Sequence, residues 1–168
     1  MAITDRRVGS VADIAFGSSA VTLTAPTVAQ ISALTRIECG LVDSIDTPRT
    51  GSTTDISGLC SRESYNIAAT IENGDITGMA WREFDGTDVY WTLFDDTATP
   101  PTNQTLAICR AGFTGAGTPA APLATDVVDL YTVQVVSRAA VGPAKTDGQR
   151  FEFTLAVVGV VFDIAVVA

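Results

Sequence analysis

Branching at Cβ is the feature that most limits what this chain can fold into. Threonine occurs 23 times, as often as alanine, and valine 18 times. Two heavy atoms on Cβ stiffen χ1, which suits a pleated sheet better than a helix. Lysine occurs once, at Lys145, and surface-helix formers are scarce, so long amphipathic helices lack their usual material. A length of 168 residues fits one domain, residues 1–168. Its apolar share of 46% supports a core that buries roughly 70% of the unfolded surface. The expected class is mainly β: a β-sandwich or partly open barrel with one short flanking α-helix.

Along the chain, residues 1–20 are rich in glycine and serine and read as an N-terminal arm. Residues 21–24 (VTLT) read as a short strand. Residues 27–34 follow Pro26, and Val28, Ile31 and Leu34 recur at a spacing of three, which predicts one or two helical turns. Residues 36–41 alternate, with Ile37, Cys39 and Leu41 on one face. Residues 43–63 form a long polar loop punctuated by Pro48, Gly51 and Gly58. A strand over 65–71 leads to Asn73-Gly74, a hairpin dipeptide, and to a second strand over 76–84. The flanking helix is expected over 87–96, with Thr87 as its cap and Asp88 in its first turn. Further strands follow at 105–111, 127–139, 150–157 and 160–167, with a bend or bulge at Gly159.

The chemistry is sparse. There is no histidine, which removes the commonest general base and metal ligand. The three cysteines, Cys39, Cys60 and Cys109, make no CxxC pair and read as small buried thiols. Asp85, Asp88, Asp95 and Asp96 lack the spacing of a calcium loop. Residues 115–117 (GAG) lack the lysine of a phosphate loop. The sequon at 103–105 reads as chance, because residues 8–20 are too polar for a signal-peptide core. Residues 155–168 are too short, and Asp163 makes them too charged, to cross a bilayer. The protein is expected to be soluble and made in a cytoplasm, with no catalytic residues, cofactor or metal. A net charge of −9 and the lack of a basic patch argue against nucleic-acid binding through phosphate contacts.

Five segments together carry a family resemblance. They are 25–41 (APTVAQISALTRIECGL), 105–112 (TLAICRAG), 126–133 (DVVDLYTV), 150–159 (RFEFTLAVVG) and 163–168 (DIAVVA). In order and spacing they resemble the tail tube, or major tail, proteins of long-tailed phages of actinobacterial type.

The resemblance implies a virion tail protein assembled in the host cytoplasm, in which strands of six subunits join into one barrel around a channel. Rings would stack into a tube that passes double-stranded DNA without binding it specifically. Partners would be further copies of the chain, the tape measure protein, and the tail terminator and distal tail proteins, with no membrane. The 43–63 loop would reach the next ring, offering Asp46, Arg49, Asp55 and Arg62. Glu38 and Glu72 are the expected lumen-facing carboxylates. Six copies at −9 each would carry −54, a field that repels phosphate. Interfaces of about 2,000 Å² or more are expected of an obligate assembly. The rival readings are a monomeric adhesin-like β-sandwich that binds carbohydrate through Trp81, Tyr90 and Trp91, and a glycosidase with paired carboxylates.

Overall fold

The computed structural model describes residues 12–42, 45–56, 65–82, 88–117, 119–142 and 149–168, with backbone alone for 50–56 and 65–71. In chain order the described elements are β1 (Asp13–Gly17), α1 (Val28–Ser32), β2 (Thr35–Arg36), a 3-10 turn (Glu38–Gly40), β3 (Arg49–Ile56), β4 (Tyr65–Asn73), β5 (Ile76–Trp81), α2 (Val89–Leu93), β6 (Gln104–Cys109), β7 (Val127–Val141) and β8 (Arg150–Ala165). Six strands form one antiparallel sheet in the order β2-β1-β6-β7-β8-β5. This sheet curls into a half-barrel, so the expected mainly β class with a partly open barrel holds. β3 and β4 pair separately.

Strand alternation sends two sets of apolar side chains to opposite faces. Ile14, Phe16, Leu106, Ile108, Tyr131, Val133, Phe151, Phe153 and Leu155 share one cluster. Ala15, Ala107, Cys109, Val128 and Leu130 share another. A short helix helps to cover each. Phe94, the C-cap of α2, is fully buried in the first cluster. Its ring stacks 4.7 Å from Phe16 and 4.1 Å from Phe153. Ile31 of α1 and the following Leu34 bury into the second.

Neither helix has the length to be stable alone. α1 is held by a capping box, in which Thr27 Oγ1 accepts from the Gln30 N–H at 3.2 Å and Gln30 Oε1 accepts from the Thr27 N–H at 3.0 Å. α2 starts on Asp88, whose carboxylate accepts from the Trp91 N–H at 3.1 Å and from Arg82 Nε at 2.8 Å. Two glycines make room for aromatic rings. A Cβ at Gly40 would lie 2.3 Å from Tyr90, and one at Gly78 would lie 2.5 Å from Phe153.

Several local readings need correction. The arm of 1–20 gives way to strand at Asp13–Gly17, where both faces are buried and an apolar run replaces alternation. Residues 21–24 form a turn. In 36–41 the strand stops at Arg36, because Glu38 turns its carboxylate back to Arg36 and to the Ile14 N–H. The 43–63 loop contains β3, whose threonines pair with β4 across a bulge at Ser52/Thr53. Asn73-Gly74 closes no hairpin. β4 pairs with β3 and β5 with β8, and the Gly74 N–H donates to the Pro48 carbonyl at 2.9 Å. The helix of 87–96 contracts to Val89–Leu93 with Asp88 as cap, Thr87 lying outside the described residues. The helical turns expected over 27–34 are present as α1, Val28–Ser32. The strands expected at 150–157 and 160–167 are one strand, β8, bulged beside Gly159 as the glycine suggested.

Two outcomes follow from this packing. Phe94→Ala is expected to cost about 3–5 kcal/mol of unfolding free energy in urea denaturation, and a cost below about 1 kcal/mol would contradict the stacked core. Burial pushes the Cys109 thiol up to about 11, whereas Cys39 is exposed. Iodoacetamide at pH 8 should therefore label Cys39 and spare Cys109 in peptide mass spectrometry. Rapid labelling of Cys109 would show that β6 is not buried as described.

Candidate assembly interface

The two longest strands extend past their neighbours. β7 has 15 residues and β8 has 16. At about 3.3 Å per residue, the hairpin they make is roughly 50 Å long. β6 pairs with β7 only over residues 129–133. β5 pairs with β8 only over residues 150–155. Among the described residues, 134–141 of β7 and 156–165 of β8 therefore find strand partners only within the hairpin. These unpaired half-edges lie on opposite sides of the hairpin and at opposite ends.

Each half-edge contains a bulge. Thr132 faces Gly159 while Val133 faces Val157, so Val158 is the extra residue on β8. Val135 faces Leu155 while Ser137 faces Thr154, so Val136 is the extra residue on β7. Val136 is 56% exposed and Val158 57%, the highest values among the exposed large hydrophobics. A third irregularity sits at Asp163, in the left-handed region at φ 52°. Buried Asp129 fixes it, accepting from the Asp163 N–H at 3.0 Å and from Arg110 Nε at 2.5 Å.

The outer rims of the sheet are treated differently. Leu41, Val42 and Asp46 lie against β5, where the Val42 N–H donates to Met79 at 2.8 Å and the Asp46 N–H to Thr77 at 3.0 Å. At the other rim β2 is two residues long, too short to template another strand. On β7 one edge donor is capped. Asp96 accepts from the Arg138 backbone N–H at 3.1 Å. The Arg138 guanidinium reaches Asp95 and Asp96, each at 3.2 Å, and the Trp91 carbonyl. Hydrogen bonds from the Thr97 hydroxyl and backbone N–H hold the Asp95 carboxyl below its ordinary range.

The residues singled out from the sequence are dispersed. Glu38 lies in the 3-10 turn, 2.7 Å from Arg36, which also pairs with Asp13 at 2.5 Å. Glu72 is exposed on β4 opposite Thr50, and nothing brings it to Glu38. Asp46 is exposed against β5, and exposed Arg49 lies over the Phe162 ring at 4.7 Å. Asp55 pairs with Asn66 through its backbone, while Arg62 is outside the described residues. Sequence reasoning missed Val136 and Val158. Their signal was present, because the doublets Val135-Val136 and Val157-Val158 break the inside-outside alternation of their strands.

Among the described residues no group of three or more acidic, cysteine or histidine side chains could hold a metal. The Trp91 ring lies 4.4 Å from the Arg82 guanidinium and 4.3 Å from that of Arg138, with Phe151 at its edge. Tyr90 packs over Gly40. Both rings are committed to their own chain and form no platform with Trp81.

A protein-family model described as "Phage tail tube protein" matches residues 9–168. Among curated protein sequences none matches the chain. The fold is similar to a chain in the cryo-EM structure of the anti-feeding prophage baseplate, 6-fold symmetrised, with TM-score 0.60 and 8% identity over 94% of this chain and 95% of that one. It is also similar to a chain in the virion of a native gene transfer agent particle, with TM-score 0.50 and 14% identity over 89% of this chain and 95% of that one. The identities are low, so the likeness concerns the fold, and it agrees with a family match that spans the whole half-barrel. The chain belongs to the phage tail tube protein family.

Proposed function

We propose that six copies of this tail subunit join head to tail into a ring, and that rings stack into a hollow tube conducting double-stranded DNA from capsid to host. The observation that carries this reading is the pair of unpaired half-edges on one hairpin. β7 and β8 are antiparallel. A neighbour offering its β8 half-edge to the free half of β7 therefore continues the same alternation. The two surfaces differ, so the contact is heterologous, and heterologous contacts close into rings when the rotation fits. The half-edges lie at opposite ends, so each neighbour is displaced along the strands, and such stagger is what a closed barrel requires. The ring number six rests on the family, and six-fold symmetry is reported for the anti-feeding prophage baseplate.

The channel would repel its cargo. Each copy carries −9, its ten Lys and Arg outnumbered by nineteen Asp and Glu, so the net field opposes phosphate. We assign exposed Glu72 and, with less free charge, Glu38 to the lumen wall; Glu38 shares Arg36 with Asp13, so the three together keep one net negative charge. Asp46 and Arg49, both exposed at the root of β3, are assigned with Asp55 and Arg62 to ring-to-ring contacts. The tape measure protein would occupy the channel before DNA, and terminator and distal tail proteins would close the ends.

Negative-stain electron microscopy of the purified chain, alone and with tail-tip proteins, tests this directly. Rings or tubes with a stain-filled centre are expected. A chain that stays monomeric in sedimentation at millimolar concentration, with tip proteins present, would overturn the proposal.

A further inference from the structure

We infer that Asn73-Gly74 is a latent deamidation site closed by the Pro48 carbonyl, so that Asn73 turns into aspartate or isoaspartate only when the base of the β3–β4 pair opens. The inference is independent of how copies assemble. It starts from a dipeptide that the fold does not use as a turn. Asn73 ends β4, and Gly74 leads towards β5 without closing a hairpin.

The chemistry needs nothing but these two residues and water. The Gly74 backbone nitrogen attacks Cγ of Asn73 and gives up its proton to solvent. The side-chain nitrogen takes up a proton and leaves as ammonia, closing a five-membered succinimide. Water then adds to one of the two ring carbonyls. Opening at one C–N bond leaves aspartate at position 73. Opening at the other leaves isoaspartate, whose main chain runs through the former side chain. Glycine favours ring closure, because it has no Cβ to hinder the nitrogen and few backbone restrictions. The sequence has two other asparagines, Asn66 and Asn103, and these precede Ile67 and Gln104. Both following side chains hinder the same attack, the branched Ile67 most of all.

In the folded chain three observations oppose the reaction. The Gly74 N–H donates to the Pro48 carbonyl at 2.9 Å, so the attacking nitrogen keeps its proton and its place. Asn73 is in strand register with Arg49, and an extended residue must turn its ψ well away from strand values before its side chain reaches the next nitrogen. Gly74 also lies close against the Pro48 ring, where a Cβ would stand 2.9 Å from Pro48 Cγ. The absent Cβ thus leaves the nitrogen open to attack and also permits the contact that blocks it. Water is at hand once that contact breaks, because Asn73, Gly74 and Pro48 border an open cleft of about 240 Å³ with Tyr131 and Phe162. Conversion then opposes reclosure. It sets a new carboxylate between exposed Glu72 and Asp75, and isoaspartate adds a backbone methylene where Asn73 faced Arg49.

The test follows conversion at each asparagine by peptide mass spectrometry while the full-length chain is held at pH 8, with and without denaturing urea. In urea Asn73 should convert well ahead of Asn66 and Asn103. In the native chain it should convert at least about tenfold more slowly, which corresponds to an opening free energy of about 1.4 kcal/mol. Urea below the unfolding transition should speed Asn73 conversion and hydrogen exchange at the Gly74 amide by the same factor, since one opening exposes both. Equal rates in native and unfolded chain would mean that the fold does not guard the site. An Asn73 no faster than Asn66 or Asn103 in urea would remove the site altogether. Conversion that stays constant while Gly74 exchange accelerates would take the guard away from Pro48. Each of these three results overturns the inference.

Discussion

A strand must satisfy its backbone on both sides, and among the described residues the β7–β8 hairpin finds strand partners for only part of its two outer edges. Buried or sheet-bound amides and carbonyls seek partners at nearly every position. Here β6 and β5 each stop after covering part of one long strand, leaving two half-edges whose donors and acceptors face outward. The rest of the architecture is arranged around that shortfall. The outer rims are treated otherwise, one covered by backbone contacts from Leu41, Val42 and Asp46 and the other cut short by the brevity of β2. What remains open among the described residues is the pair of half-edges, and as a phage tail tube protein the chain is a structural part of the virion with no enzymatic role.

For the hairpin to project, the sheet beneath it must be rigid. That rigidity comes from burying both faces near β1 and β6, with a five-residue helix on each. Such helices have almost no stability of their own, so they work as plugs whose anchors are Phe94 and Ile31. The Phe16–Phe94–Phe153 stack ties α2 across the curl of the half-barrel. Arg138 then joins α2 to the free half of β7 through Trp91, Asp95 and Asp96, so the open edge is positioned by the core.

Much of this was legible in the residues. Threonine and valine content gave the β class, and the alternation of Phe151, Phe153 and Leu155 marked the buried face of β8. The spacing of Val28, Ile31 and Leu34 behind Pro26 marked α1. What escaped was pairing, because pairing is a tertiary choice. Asn73-Gly74 is a strong local hairpin signal, but β5 finds more apolar surface against β8, where Ile76 and Ala80 face Leu155 and Phe151. β3 was read as loop because its side chains are polar, although its threonines favour strand. The open half-edges were invisible for a related reason, because no chemical motif marks them and the doublets Val135-Val136 and Val157-Val158 only end a regular alternation.

Charge is consistent with the proposed channel, since ten Lys and Arg against nineteen Asp and Glu leave each copy at −9. The central claim remains the completion of the hairpin's edges by sibling copies. Amide hydrogen exchange, measured on the dispersed chain and on assembled tubes, addresses it residue by residue. The account predicts that residues 134–141 and 156–165 gain strong protection on assembly while β2 and the already covered edge of β5 change little. Tubes in which those two segments exchange as fast as in the dispersed chain would contradict it.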